Sequence, residues 1–265
     1  MVKSALAHAI DERPAQRTLG PIHVAWAGIA LAWAVCAWAQ SSGAAAQFHH
    51  HALYESGRPF WLAALMLLGA WQVMTTAMML PSSISFIRLY AAAASNTPGF
   101  GWSIALFLVA YLAVWSAFAL LAFAGDMALH RVVDASPWLG AHARIIPAAT
   151  LALAAVYQLT PLKDACLKAC RHPGAYLLRH YQRGAANGLR IGIGHAAFCL
   201  GCCWALMLIM FAAGVAHLAW MGALAAIMLV EKSLPHGERI VAPVGALLGA
   251  LAIIMLLLPA SAVGF

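Results

Sequence analysis

The sequence predicts an all-α, polytopic membrane helix bundle of about seven transmembrane helices, with a cytoplasmic N-terminus and a periplasmic C-terminus. Of the 265 residues, 64% are hydrophobic and 9% are charged, whereas soluble domains carry about 25% charged residues. A helix that crosses a bilayer needs about 20 mainly apolar residues, and the chain contains about seven such runs. We therefore expect residues 1–20 to form a cytoplasmic segment and residues 21–265 a single transmembrane domain.

The first four predicted spans are bounded by turn residues and polar segments. Pro81-Ser82-Ser83 predicts the end of the second span, and Asn96-Thr97-Pro98-Gly99 predicts a turn before the third. Residues 125–143 form a predicted polar loop. Residues 163–172 contain good helix formers and could continue the fourth span up to Pro173. These four spans have the approximate limits 22–39, 59–80, 102–124 and 145–162.

The last three predicted spans cover approximately residues 193–213, 215–230 and 241–258. A tight connection at Gly214 predicts that the first two of them form an antiparallel hairpin. Gly245 and Gly249 form a face of small residues in the last span, which favours close contact with another helix.

The distribution of basic residues predicts the orientation. If there are seven spans, 12 of the 15 Lys and Arg residues fall on the side of the N-terminus. An excess of Lys and Arg marks the cytoplasmic side of a membrane. The net charge of +7 does not indicate nucleic-acid binding, because the basic residues are not clustered into a folded basic domain.

The fifth predicted span carries an unusual run of sulfur ligands, H-A-A-F-C-L-G-C-C-W-A-L-M-L-I-M over residues 195–210. On a helix, His195, Cys199, Cys202 and Cys203 fall within an arc of roughly 100°, and Met210 lies on the same arc. Free cysteine also behaves as a small buried hydrophobe. Three cysteines within five residues nevertheless favour a ligand or redox role.

Further candidate ligands lie in the same half of the predicted bilayer. Met74 and Met78 are one helical turn apart on the second span, and Cys166 and Cys170 are one turn apart just below the inner surface. Met pairs at this spacing are also common in ordinary helix packing. If the second, fourth and fifth spans touch, these side chains and the three cysteines form one column of metal ligands.

The chemistry of this column favours a soft metal ion. Thiolate and thioether ligands select Cu(I), and thiolate with imidazole can also bind Zn(II), so Cu(I) is the first expectation and Zn(II) the second. Histidines in the outer loops, among them the run at 49–51, could collect a metal before transfer.

Acidic residues are scarce near the predicted column. Asp164 and Glu231 each stand beside a lysine, Lys163 and Lys232 respectively. The simpler interpretation is an ion pair that ties the fourth span to the sixth. The alternative is that one carboxylate, most plausibly that of Glu231, couples to protons.

Four segments carry a resemblance to a known family. A-M-M-L-P-S at 77–82, Y-Q-L-T-P-L-K-D-A-C-L-K-A-C-R at 157–171, C-L-G-C-C-W-A-L-M at 199–207 and E-K-S-L-P-H-G at 231–237 resemble a bacterial family of predicted metal-binding integral membrane proteins, a domain of unknown function. The resemblance covers roughly residues 71–237. It implies a metal-binding membrane protein in which the matching cysteines are Cys166, Cys170, Cys199, Cys202 and Cys203.

These observations favour a multi-pass protein of the bacterial inner membrane that transports a soft metal ion or delivers it to a cuproprotein. Its expected partners are the lipid bilayer and a periplasmic or membrane protein that accepts the metal. The protein could also form a homo-oligomer or belong to a larger membrane complex. No ATP-binding G-x-x-x-x-G-K-[ST] motif is present, and no catalytic residue is predicted. Two alternatives remain, a membrane thiol–disulfide oxidoreductase and a structural or assembly subunit of a membrane complex.

Overall fold

The computed structural model describes residues 12–48, 57, 59–213 and 217–257, and these residues form helices joined by short turns, with no β-strand among them. The helical class predicted from the sequence is confirmed for these ranges. In chain order the α-helices are α1 (Glu12–Ser41), α2 (Phe60–Ala94), α3 (Phe100–Ala135), α4 (Pro137–Ala141), α5 (Ile145–Gln158), α6 (Pro161–Arg171), α7 (Pro173–His180), α8 (Asn187–Ala213), α9 (Leu218–Ser233) and α10 (Val241–Leu257). Short 3-10 helices lie at Ala44–Phe48 and Gly237–Ile240.

Several of these helices are long and apolar enough to cross a bilayer. They are α1 from Gly20 onward, α2, α3, α8 as far as Met210, and the segment Gly237–Leu257 that contains α10. Helices α5 and α6 meet the same criterion together, although they are bent by 66° relative to each other. Helix α9, which covers the predicted sixth span, has 16 residues. The described residues therefore supply five or six candidate spans, and the number seven stays a prediction.

Helix α2 does not end at Pro81. The prediction that Pro81-Ser82-Ser83 ends this helix is therefore wrong. Proline has no N–H to donate to the carbonyl four residues earlier, which here is that of Ala77. The indole Nε1 of Trp33 on α1 donates to the Ala77 carbonyl at 3.1 Å instead. A neighbouring helix thus satisfies the group that Pro81 leaves open, as happens in membrane helices that contain proline, and α2 continues to Ala94.

The predicted polar loop at 125–143 is also largely helical. Helix α3 continues to Ala135, and the Asp126 carboxylate lies 3.6 Å from Nδ1 of His130 one turn later. Ser136 then begins the short helix α4, because its hydroxyl accepts a hydrogen bond from the Leu139 N–H at 3.4 Å. Polar residues at helical spacing support a longer helix here rather than a loop. The histidine run at 49–51 lies outside the described residues.

The chain bends sharply between α5 and α6. Residues up to Arg171 are helical, as predicted, but they do not prolong α5. Thr160 caps a new helix by accepting a hydrogen bond from the Lys163 N–H at 3.3 Å, and Pro161 takes the first helical position, which it favours. The resulting 66° bend turns α6 toward α8.

Helix α8 is the centre of the bundle and contacts α3, α5, α6 and α9. It approaches α3 closely because Gly188 and Gly192 lie directly against backbone atoms of Ser103 and Phe107. A further close contact joins α10 to α5. Here the predicted small-residue face is confirmed, since a Cβ at Gly245 would lie 3.1 Å from Gln158 Cβ.

Candidate metal centre

Three cysteines project from α8 into the core. Cys199, Cys202 and Cys203 are each 1% exposed, as expected for residues spaced by three and four on one helix face. The thiols of Cys202 and Cys203 donate to the Cys199 carbonyl oxygen at 3.1 and 2.9 Å. All three are free thiols, so the predicted cysteine face exists and points inward.

A buried lysine lies among these thiols. The ammonium Nζ of Lys232 on α9 is 3.2 Å from Cys199 Sγ and 3.5 Å from Cys203 Sγ. Lys232 as a whole is 6% exposed. A buried ammonium is costly unless anions or strong acceptors surround it, and here sulfur atoms are its neighbours.

A thioether completes the group around the ammonium. The Sδ of Met79 on α2 lies 3.8 Å from Lys232 Nζ and 3.7 Å from Cys203 Sγ. We refer to Cys199, Cys203 and Met79, which surround the Lys232 ammonium, as the sulfur cluster. Helices α2 and α8 supply these sulfur atoms, and α9 supplies the ammonium.

Helix α6 brings a second pair of cysteines to the same region. Cys170 Sγ lies 3.9 Å from Cys202 Sγ, which joins α6 to the cysteine face of α8. Cys166 lies against Gly201 of α8, where a Cβ would come within 2.6 Å of its thiol sulfur. Both α6 cysteines are half-buried. The contact between the fourth and fifth spans, which the column of ligands requires, is therefore present.

His195, a predicted ligand, is buried but bonded elsewhere. Its Nε2 lies 3.1 Å from the Ser83 hydroxyl, and its ring stacks on Phe86 at a centroid distance of 4.0 Å. Ser83 donates to the Tyr111 hydroxyl at 3.3 Å, and that hydroxyl lies 3.2 Å from Cys199 Sγ. His195 is thus connected to the thiols through two hydroxyl groups.

The two predicted methionine ligands lie deep in the bundle. Met74 and Met78 are each 1% exposed and belong to the same core cluster as the α8 cysteines. Met79, the residue after Met78, has its sulfur in contact with the Cys203 thiol. A ligand role for Met74 and Met78 stays a prediction.

A buried ion pair lies next to the sulfur cluster. Lys163 Nζ is 2.7 Å from Glu231 Oε2, and both side chains are 1% exposed. The other carboxylate oxygen of Glu231 accepts a hydrogen bond from Gln158 Nε2 at 2.9 Å. This is the predicted tie between the fourth and sixth spans. Asp164 instead pairs with Lys168 at 2.6 Å on the surface.

Sequence reasoning did not identify Met79, Lys232 or Tyr111 as members of this region. The available signal was the pair Glu231-Lys232 itself, because neighbours on a helix project about 100° apart. One of them can therefore face α5 and α6 while the other faces α8. Which of the two does so depends on how α9 is rotated, and residue spacing does not reveal that rotation.

The donor set fits a soft monovalent ion. Among the described residues, no three His, Cys, Asp or Glu side chains are arranged to hold a metal ion together. The sulfur cluster instead combines two thiols with one thioether around a cation. Thiolate and thioether are the ligands that select Cu(I), an ion that accepts a low coordination number.

Comparison with known proteins identifies a family. No curated protein and no solved structure matches the chain. Residues 68–255 match the PpoB2 family, which is described as copper chaperone. The matched range contains the sulfur cluster, both α6 cysteines and the buried ion pair. The chain belongs to this copper chaperone family, and its role is copper-related.

Proposed function

We propose that this protein binds Cu(I) within the bacterial inner membrane and delivers it to an acceptor protein. The observation that carries the proposal is the sulfur cluster, in which two thiols and a thioether already surround a positive charge. A buried site that accommodates an ammonium ion is suited to a monovalent metal ion. The acceptor would be a periplasmic or membrane cuproprotein.

The ligand chemistry supports Cu(I) before Zn(II). The carboxylate nearest in sequence, that of Glu231, is already engaged by Lys163 and Gln158. Zinc sites usually have four ligands in a tetrahedral arrangement, whereas this cluster offers three sulfur atoms. Zn(II) remains the second candidate, with Cys202 or Cys170 as additional ligands.

The α6 cysteines suggest an entry route. The Sγ of Cys170 lies 3.9 Å from the Sγ of Cys202, and Cys202 is next to Cys203 of the sulfur cluster. A soft metal ion exchanges readily between thiolates at such a distance, because a new bond can form before the old one breaks. We infer that Cys166 and Cys170 receive copper and that Cys202 passes it to Cys199 and Cys203.

The proposed membrane location rests on the surface as well as on helix length. Large apolar side chains remain exposed along the long helices, including Leu121 at 74% and Leu257 at 77%. Many exposed apolar side chains on such helices are typical of contact with lipid. With most Lys and Arg on the side of α6 and α7, the α6 cysteines would face the cytoplasm.

Metal analysis of the purified protein tests this function. Wild-type protein, loaded with Cu(I) under reducing conditions, is expected to retain copper, whereas the triple variant Cys199→Ser, Cys202→Ser, Cys203→Ser loses it. Cys36→Ser is the matched control, because Cys36 is also a buried free thiol but lies on α1. Equal copper in wild type and triple variant would contradict the proposal and favour a structural or assembly role.

A thiol–disulfide oxidoreductase is the second candidate, and the Cys170–Cys202 distance is the observation that favours it. A disulfide requires the sulfurs to approach to about 2.05 Å, a small movement from the present distance. Alkylation trapping before and after mild oxidation separates the two functions. A redox protein should form this disulfide reversibly during turnover, whereas a copper carrier should be active only with both thiols reduced.

A further inference from the structure

Lys232 is the feature that the proposed function does not yet use. Its ammonium lies between Cys199 Sγ, Cys203 Sγ and Met79 Sδ at 3.2, 3.5 and 3.8 Å. The salt bridges of the described residues join other partners, and none of them includes Lys232. The charge of this buried lysine is therefore balanced by sulfur.

The neighbouring carboxylate does not balance that charge. Glu231 directs its two oxygens to Lys163 and Gln158, so this pair is electrically neutral without Lys232. Transferring an ion from water into the protein interior costs several kcal/mol unless an opposite charge compensates it. The sulfur cluster is consequently built to carry one negative charge beside one ammonium ion.

This charge count distinguishes metal ions. Cu(I) bound by two thiolates forms a complex with one net negative charge, which one ammonium ion neutralises. Zn(II) bound by the same two thiolates forms a neutral complex and leaves the ammonium uncompensated in a buried site. The cluster with Lys232 therefore favours a soft monovalent cation over a divalent one.

Building on the proposed function, we propose that Lys232 is the specificity-determining residue of the copper site. Its ammonium lies between the sulfur atoms, at the position that Cu(I) would take on binding. The flexible four-carbon stem of lysine lets the ammonium withdraw by a few ångströms and remain as the counter-charge of the Cu(I)–thiolate complex. Cu(I) brings one positive charge, and the Cys203 thiol, which donates to the Cys199 carbonyl oxygen, releases its proton to become the second thiolate. Cu(I) thus replaces a proton, and the buried charge stays balanced.

The test compares the binding of Cu(I), Ag(I) and Zn(II) to wild type, Lys232→Met and Lys232→Arg. Cu(I) affinity is measured by competition with a chromophoric Cu(I) chelator, and Ag(I) and Zn(II) affinities by matched competition titrations. Lys232→Met should lower the Cu(I) and Ag(I) affinities at least about tenfold, because the complex loses its counter-charge. The Zn(II) affinity should not fall, so the ratio of Cu(I) to Zn(II) affinity decreases. Lys232→Arg keeps the charge and should restore part of the ratio.

The ratio separates a counter-charge from a structural role. If Lys232 only supported packing, Lys232→Met would weaken the binding of all three metal ions together. An unchanged ratio of Cu(I) to Zn(II) affinity in Lys232→Met therefore overturns the inference. If Lys232→Met does not fold, Lys232→Gln provides the neutral side chain. Its ratio of Cu(I) to Zn(II) affinity then has the same interpretation. Lys168→Met, at an exposed lysine, is the control for general charge effects. Absence of Cu(I) binding in wild type would refute the proposed function itself rather than the role of Lys232.

Discussion

Glu231 and Lys232 are neighbours on α9, yet their charged groups belong to different networks. The carboxylate of Glu231 pairs with Lys163 at 2.7 Å, while the ammonium of Lys232 lies 3.2 Å from the Cys199 thiol. Adjacent charges of opposite sign thus do not neutralise each other, because side chains about 100° apart on the helix face different neighbouring helices. One network holds helices together, and the other faces the proposed copper ligands.

The buried ion pair should be essential for folding. Glu231→Gln removes the anion and leaves the Lys163 ammonium buried without a counter-charge, which should lower the free energy of unfolding by about 3 to 5 kcal/mol. Denaturant titration in detergent micelles measures the loss. Asp164→Asn is the matched control, since its exposed pair with Lys168 should contribute less than about 1 kcal/mol. A similar small effect for Glu231→Gln would show that the pair is not structurally important.

The hydrogen bond from Trp33 to the Ala77 carbonyl should depend on Pro81. Trp33→Phe removes the indole donor and leaves that carbonyl without a partner, at a cost of about 1 to 3 kcal/mol. Pro81→Ala restores a backbone N–H that can donate to the same carbonyl. In a double-mutant cycle, Trp33→Phe should therefore destabilise the Pro81→Ala background less than the wild type. Additive effects in the cycle would contradict this coupling, and Trp38→Phe at an exposed tryptophan provides the control.

The sequence was sufficient for properties that depend on local composition. The helical class, the apolar segments and the cysteine face of α8 follow from hydropathy and from the helical period. These patterns do not distinguish Met78 from Met79 as the residue that contacts a thiol, because that contact depends on the rotation of α2 against α8. The continuation of α2 through Pro81 likewise depends on Trp33, a residue 44 positions from the carbonyl that it satisfies. Contacts between helices are not encoded in the periodicity of any one of them.

The close contact of α8 with α3 should be intolerant of a single methyl group. A Cβ at Gly192 would lie against the backbone carbonyl of Phe107 and 2.8 Å from Ala110 Cβ, and backbone atoms cannot rotate away. Gly192→Ala should destabilise the protein by about 1 to 3 kcal/mol. It should also weaken Cu(I) binding, because α3 supplies the Tyr111 hydroxyl that contacts Cys199.

The control for this substitution is Gly222→Ala on α9. A Cβ at Gly222 meets nothing within 4 Å, and alanine favours a helix over glycine by up to about 1 kcal/mol. Gly222→Ala should therefore be neutral or stabilising. Equal effects of the two substitutions would show that helix propensity, and not the contact with α3, determines the outcome.

The two α6 cysteines should differ in their effect on copper transfer. Cys170 contacts Cys202 directly, whereas Cys166 lies against Gly201. If copper enters through α6, Cys170→Ser removes the sulfur next to the α8 face and should slow loading severalfold. Cys166→Ser should slow it less, because Cys170 remains to complete the transfer. Both variants keep the sulfur cluster, so the amount of copper bound at equilibrium should stay unchanged. Stopped-flow mixing with a Cu(I)–chelator complex measures the rate, and equal rates for wild type and Cys170→Ser would exclude this entry route.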